Sequence, residues 1–369
     1  MIDRRLKRFW YRAGPLAAGG ALLAGGAIAG CGSDSTTAST TSGPGGGSPT
    51  TTTTSSNGGA GGAGGATTTT STGGPIDLAI GLSVDIHRPF DAVPSATGAQ
   101  AYFTADGANG LGVYKASIDG AAPKAVALYP TTVGDPANPF AAPFGIEVST
   151  DGEQLYIADA AAGSADLGAI YSMAIDGSAP KLIMGTDGTT PHSLAVVDVG
   201  GKDTIYFTGT EATAGGFRGV FSIPASGGAV TKIYAGSMLK DPSGIAVAKD
   251  GNIYLTDTTS SAKGSGQILV LKAGGEPTIL IDDVRVGYPS GIALSLDEKS
   301  LYVSSFDPAT LTDRVTVVDI TEKSSAAAFA TELGTFTEAA GLHRAKTANV
   351  FTFVDSTAGA SGGKVFVIK

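Results

Sequence analysis

The chain holds one cysteine, one tryptophan and three histidines in 369 residues. A single thiol excludes an intramolecular disulfide, so stability must come from packing. Trp10 lies within the first thirty residues, which leaves everything beyond it without an indole platform for a sugar ring. Only 15% of residues are charged, and acids outnumber bases for a formal net charge of −9. Residues 1–30 carry five bases and a single acid, so the remainder is more acidic still. That balance argues against nucleic acid and against electrostatic adhesion to anionic lipid. Segments of helical period are nearly absent. No Gly-x-Ser-x-Gly elbow, HExxH pair or phosphate-binding glycine loop with lysine occurs, so no motif points to catalysis.

What the chain does contain begins at its N-terminus. Arg4, Arg5, Lys7, Arg8 and Arg12 precede an apolar, Gly/Ala-rich stretch that ends in Ile28-Ala29-Gly30-Cys31. A charged start, a short apolar run and small residues at its end mark a targeting segment. The arrangement resembles a bacterial lipoprotein signal. The resemblance implies cleavage after residue 30 and a diacylglycerol on the Cys31 sulfur. Several acyl chains would make the attachment to the membrane durable. The competing reading is a retained membrane span, for which the run is near the lower length limit. Gly32 follows the cysteine where an inner-membrane retention signal carries aspartate, so the resemblance favours an outer-membrane, extracytoplasmic location.

Residues 31–74 are almost entirely Ser, Thr, Gly, Ala and Pro, with no aromatic side chain. Such a segment buries too little apolar surface to offset its ordering entropy and is expected to be a disordered linker. About 43 flexible residues span roughly 35 Å. The threonine runs are also open to O-linked sugars.

From residue 75 to 369 the chain repeats. Pro242-Ser243-Gly244-Ile245-Ala246-Val247 recurs as Pro289-Ser290-Gly291-Ile292-Ala293-Leu294, with looser copies at Pro143–Val148 and Pro191–Val196. Degenerate copies lie at Pro89–Val93 and Ala339–His343. Anchored on Asp91, Gly145, Ser193, Gly244, Gly291 and Gly341, the period is about 50 residues, a length typical of propeller blades. Each unit continues with a tight turn such as Lys249-Asp250-Gly251-Asn252, where Asp-Gly supplies the positive φ of a hairpin. A second strand follows, as in Ile253-Tyr254-Leu255, then a third, as in Gln267–Leu271, then a fourth, as in Thr278–Ile281 or Lys181–Met184. Four antiparallel strands per unit define a blade. The last unit stops one strand short at Lys364–Ile368, while Ile76–Leu82 is one strand with no partner. Pairing the two closes the ring and removes its open edges. The expected fold is all-β: a six-bladed propeller of four-stranded antiparallel blades, the last completed by the N-terminal strand.

The run Asp241–Asp257 resembles NHL-repeat and gluconolactonase-like six-bladed propellers, sharply in the fourth and fifth repeats and loosely elsewhere. The resemblance is specific for fold and says little of activity, because propellers host enzymes, binders and scaffolds alike. The lactonases of that group hold a metal through a glutamate in the first blade, and through Asn and Asp just before the glycine of later first strands. This chain has Arg88-Pro89-Phe90-Asp91 in the first blade, and Phe144, His192, Ser243 and Ser290 at the later positions. None matches, so that catalytic set does not carry over.

Loops between second and third strands are long and polar, and on a rigid scaffold such loops are where binding tends to sit. That face is expected to carry Asp106, Asp159, Asp257 and Asp355 at second-strand ends, with His87, Arg88 and His192 from inter-blade connections. Two accounts of these side chains stay open. Asp and His around one mouth could hold a divalent cation such as calcium, the one cofactor this set suggests. Equally, strand-end aspartates accept hydrogen bonds from loop amides. Glu147 and His343 stand where Ala246 and Ala293 stand in other repeats, beside the expected central channel. The composite expectation is a lipid-anchored binding or scaffolding module whose long-loop face meets a protein or small molecule. The alternative is a metal-dependent, lactonase-like hydrolase with a rearranged site.

Overall fold

A computed structural model describes residues 78–81, 86–118, 123–211, 216–259, 261, 265–272, 274–286, 290–307, 312–330, 339–358 and 362–369. The leader at 1–30, Cys31 and the linker to residue 74 lie outside the described residues. Six four-stranded antiparallel sheets follow one another around a ring. Their innermost strands are Ile86–Pro94, Pro143–Val148, Leu194–Asp198, Pro242–Val247, Ile292–Leu294 and Ala339–Arg344, for blades one to six. Blade six is completed by Leu78–Gly81, antiparallel to Lys364–Ile368 with Leu78 opposite Val367 and Ile80 opposite Val365. The expected closure is therefore present. A 3-10 turn at Ser164–Asp166 is the one helical element among the described residues.

The core is divided among the seams. Each of six apolar clusters joins two neighbouring blades: Val93 and Tyr102 meet Ile146 and Ile157 between blades one and two. Ile80, Val365 and Val367 meet Phe103 and Tyr114 between six and one. Every blade thus buries both faces, which is why neighbouring positions of an inner strand are both apolar, as at Ile245 toward blade three and Ala246 toward blade five.

The repeat motif has a steric origin. A Cβ on Gly145 would collide with the carbonyl oxygen of His192 in the next blade, because inner strands crowd together at the axis. The register slips within the motif, between Pro143 and Gly145 and again between Pro242 and Ile245. These are bulges, in which extra residues face a single partner and the strand bends. In blades three and five the ladder begins only at Leu194 and Ile292, so the strands are shorter than the expected 191–196 and 289–294. The fourth strand of blade two is likewise reduced to Lys181–Leu182, with Met184 exposed beyond it.

Turns between first and second strands repeat a single device. Ser149 Oγ accepts the Gln154 amide at 2.8 Å and donates to Asp151 Oδ1 at 2.6 Å. Ser295 does the same with Ser300 and Asp297, at 3.0 and 2.7 Å. Second-strand tyrosines carry packing across the seams: the Tyr156 hydroxyl donates to Asp203 Oδ2 in blade three at 2.8 Å, and Tyr302 stacks on Phe351 at 4.2 Å.

Candidate functional sites on the two faces

Second-strand ends and inter-blade connections share one face. There the aspartates are engaged by their own surroundings. Asp159 is fully buried and accepts four backbone amides, from Ala141, Ala142, Ala161 and Ala162, at 2.7 to 2.9 Å. Burial pushes its carboxyl up, opposed by those amides. Asp257 accepts the amides of Lys240 and Asp241 at 2.7 and 2.9 Å, and burial raises its carboxyl too. Asp355 takes the Thr357 amide and hydroxyl, both at 2.7 Å, and the Ala358 amide at 3.1 Å. Asp106 pairs with Arg88 and lies 3.6 Å from His87 Nε2. Asp159, Asp257 and Asp355 clasp the loops beside them, Asp106 pairs with Arg88 instead, and the structure does not bring the four together.

His192 is buried at the seam of blades three and four. Burial, with Arg218 nearby, lowers its imidazole to about 4, against a backbone hydrogen bond with Pro242. It is neutral at pH 7. Arg218 in turn pairs with Asp241. The apolar side chains Val133, Leu167, Phe217 and Met238 are exposed on this same face, in the loops and connections of blades one to four.

A different cluster occupies the axis. Glu147 and His343 sit at equivalent innermost positions, opposite Tyr156 and Thr352, where blades three to five place Ala195, Ala246 and Ala293. His343 Nδ1 lies 3.2 Å from Glu147 Oε2, and Nε2 lies 2.9 Å from Asp91 Oδ2. Both ring nitrogens donate to carboxylates, so the ring is an imidazolium. Burial alone would lower its pKa; Asp91 and then Glu147 outweigh burial and raise it to about 10. Burial would likewise raise Glu147, but Lys346, whose Nζ is 3.2 Å from Oε1, and His343 hold it down at about 2.

Asp91 completes the cluster, its carboxylate also accepting the amides of Ala92 and Ile146 at 2.8 and 2.9 Å. It stands at the motif's glycine position, and its side chain abuts Gly341, where a Cβ would displace it. From the sequence Glu147 and His343 stand out, and Asp91 and Lys346 do not. An aspartate in a glycine column was the available signal for Asp91. Lys346 carried none.

These inner positions bound a cavity of about 420 Å³ at the channel mouth. Its walls are the ends of the first strands and the turns that follow them, including Asp198, Lys249 and Glu298. It therefore opens on the face opposite the long loops.

No protein-family model matches the chain, and no curated protein matches it. Solved structures do. A nidogen/laminin complex matches with 15% identity and a TM-score of 0.53, over 71% of this chain and 86% of that one. A gluconolactonase from Xanthomonas campestris matches with 17% identity and a TM-score of 0.53, over 79% and 89%. At such identities the likeness establishes the fold, a six-bladed propeller, and leaves its use to the residues.

Those residues do not fit a lactonase-type metal site. At the positions that would supply ligands, the Ser243 hydroxyl accepts the Ser290 amide at 2.7 Å, and Ser290 shares a 2.5 Å hydrogen bond with Thr256. Both are spent joining blades four and five. Among the described residues no three His, Cys, Asp or Glu side chains are grouped to hold a metal ion.

Proposed function

We propose that the chain is an extracytoplasmic binding module, tethered through lipid on Cys31, whose long-loop face docks a protein partner. The observation that carries this reading is the set of exposed apolar side chains on that face, Val133, Leu167, Phe217 and Met238. Apolar groups held out by loops on a rigid frame suit a protein contact better than a small polar ligand. Asp159, Asp257 and Asp355 are committed to loop amides and Asp106 to Arg88, which leaves the face to work by shape and apolar contact. The propeller presents that face, and the Ser/Thr/Gly segment of 31–74 would supply reach from the membrane surface.

Site-specific photo-crosslinkers at positions 167 and 217, compared with one at the outer-strand residue Leu182, test the face in cells. The expected result is one discrete adduct from the first two and none from the third. Adducts distributed equally among the three positions would overturn it. Cys31→Ala should abolish labelling by a palmitate analogue and release the protein from the membrane fraction; unchanged labelling removes the tether. A stoichiometric divalent ion that is lost on Asp159→Ala would favour the hydrolase instead.

A further inference from the structure

The long-loop face is not uniform in charge. Across blades one and two it is built from four stretches: the loop 107–112, the connection 129–142, the loop 159–169 and the connection 183–193. They contain no lysine and no arginine, and their one histidine, His192, is buried and neutral at pH 7. Their acids are Asp135, Asp159, Asp166 and Asp187. Asp159 is buried among amides; Asp166 is exposed, and Asp135 and Asp187 are half-buried. Among the described residues none of these last three enters an ion pair. Asp187 Oδ1 accepts the Ser164 amide at 2.7 Å and Asp135 Oδ1 the Ala137 amide at 2.9 Å, which orients both carboxylates without adding a cation. The flanks differ. Arg88 pairs with Asp106 on one side, and Lys232 with Glu211 on the other. Arg218, next to the exposed Phe217, is likewise paired, with Asp241. The sector over blades one and two is negative where its neighbours are balanced.

Apolar groups share that sector. Val133 is 75% exposed and Leu167 49%. Asp166 adjoins Leu167, and Asp135 lies two residues beyond Val133. Both apolar side chains stand on fixed backbone. The Leu167 carbonyl accepts the Thr190 amide at 2.8 Å and its hydroxyl at 3.0 Å. The connection that carries Val133 is anchored at its two ends by Tyr129 and Phe140. These rings meet edge to face at 6.2 Å, and Phe140 meets Tyr171 of blade two in the same way at 5.9 Å. A rigid surface with apolar side chains beside uncompensated carboxylates is complementary to one with apolar side chains beside cations.

We propose that the sector over blades one and two docks a cationic, amphipathic segment of a partner protein. Lysine or arginine side chains of that segment face Asp135, Asp166 and Asp187, and its apolar side chains cover Val133 and Leu167. The inference rests on the docking face proposed above and adds the chemistry of what it meets. Charges at such a rim act chiefly on encounter and on the choice of partner, and salt screens them.

The test is fluorescence anisotropy of labelled synthetic peptides titrated with the purified full-length protein. One peptide alternates lysine with leucine, a second glutamate with leucine, a third lysine with serine. The lysine–leucine peptide should bind, and the other two at least about tenfold more weakly. The triple variant Asp135→Asn, Asp166→Asn, Asp187→Asn keeps the acceptor oxygens that hold Ala137 and Ser164. It should weaken that binding about tenfold, three exposed ion pairs contributing a factor of about two each. Three neutralisations in exposed turns of the opposite face, Glu153→Gln, Asp176→Asn and Glu322→Gln, should leave it within about twofold. If the triple asparagine variant does not melt cooperatively, Asp166→Asn alone, at an exposed position, should still weaken binding about twofold. No binding of the lysine–leucine peptide at about 1 mM overturns the proposal, as does equally tight binding of either other peptide. Equal losses in the two triple variants, the mark of overall charge alone, overturn it too. Cellular adducts from positions 167 and 217 that persist undiminished in the triple asparagine variant would leave the docking face standing and overturn only the basic partner. Absence of those adducts from the unaltered protein would bring down the face and this proposal with it.

Discussion

Replacing His343 with leucine removes the cation that Asp91 and Glu147 share and leaves two buried carboxylates with Lys346 alone. Breaking a buried ion pair by deleting one partner costs about 3–5 kcal/mol. A second route to the magnitude uses the titration of the ring itself. Its pKa rises from 6.5 to about 10 on folding, worth roughly 5 kcal/mol at about 1.36 kcal/mol per unit. The folded pKa is the higher one. The contribution is therefore full below pH 6.5 and fades as pH climbs through 10. Urea unfolding followed by far-UV circular dichroism suits the domain, since tryptophan occurs only at position 10. His343→Leu should lower stability at pH 6 by about 3–5 kcal/mol, and the gap between the two proteins should narrow steadily toward pH 10. Taking the difference cancels other alkaline titrations. A gap under about 1 kcal/mol, or one that is flat with pH, would refute a shared imidazolium at the axis. Combining Asp91→Gly, Glu147→Ala and His343→Ala, the residue types common at these places in other blades, should cost much less than the sum of the three single changes.

Acid should act through a different histidine. His192 stays neutral in the fold to about pH 4 but protonates near 6.5 once unfolded, so stability falls as pH drops between those values, by up to about 3 kcal/mol. In His192→Gln that loss should be largely gone from the difference between urea curves at pH 7 and 4.5. Gly145→Ala places a methyl against the His192 carbonyl and should cost about 1–3 kcal/mol, read as a lower Tm. Ile80 is fully buried in the closing strand, so Ile80→Ala should lose about 2–5 kcal/mol; a neutral result would mean that Leu78–Gly81 contributes little to the ring.

The ring was legible because its causes are local and recur. Crowding at the axis selects a small residue in blades two to six, as at Gly145, and the seam selects an aromatic on the second strand, as at Tyr156 and Tyr302. Even the closure could be counted from one missing strand and one spare. The axial cluster was half legible. Glu147 and His343 stood out against alanine, yet their contact depends on two residues 196 positions apart meeting across the channel, and Asp91 is 252 positions from His343. Nor does a repeat reveal what lines the mouth of a channel. Turn side chains such as Lys249 and Glu298 form that wall, and they vary from blade to blade. The aspartates illustrate the reverse case. Asp159 and Asp257 were visible as strand ends, but whether their oxygens faced solvent or amides depended on loops whose paths no pattern encodes.

Leu78–Gly81 emerges from the ribosome ahead of all six blades and finds its mate only after Lys364–Ile368 has been made. Until then blade six shows an unpaired edge and blade one lacks part of the seam it shares with Ile80. Maturation must accordingly wait for the whole chain, a slow, non-local final step during which the unfinished rim is exposed to aggregation. A helper that shields one exposed strand during synthesis would shorten that hazard, and the newborn chain, rather than the finished wheel, is where it would act.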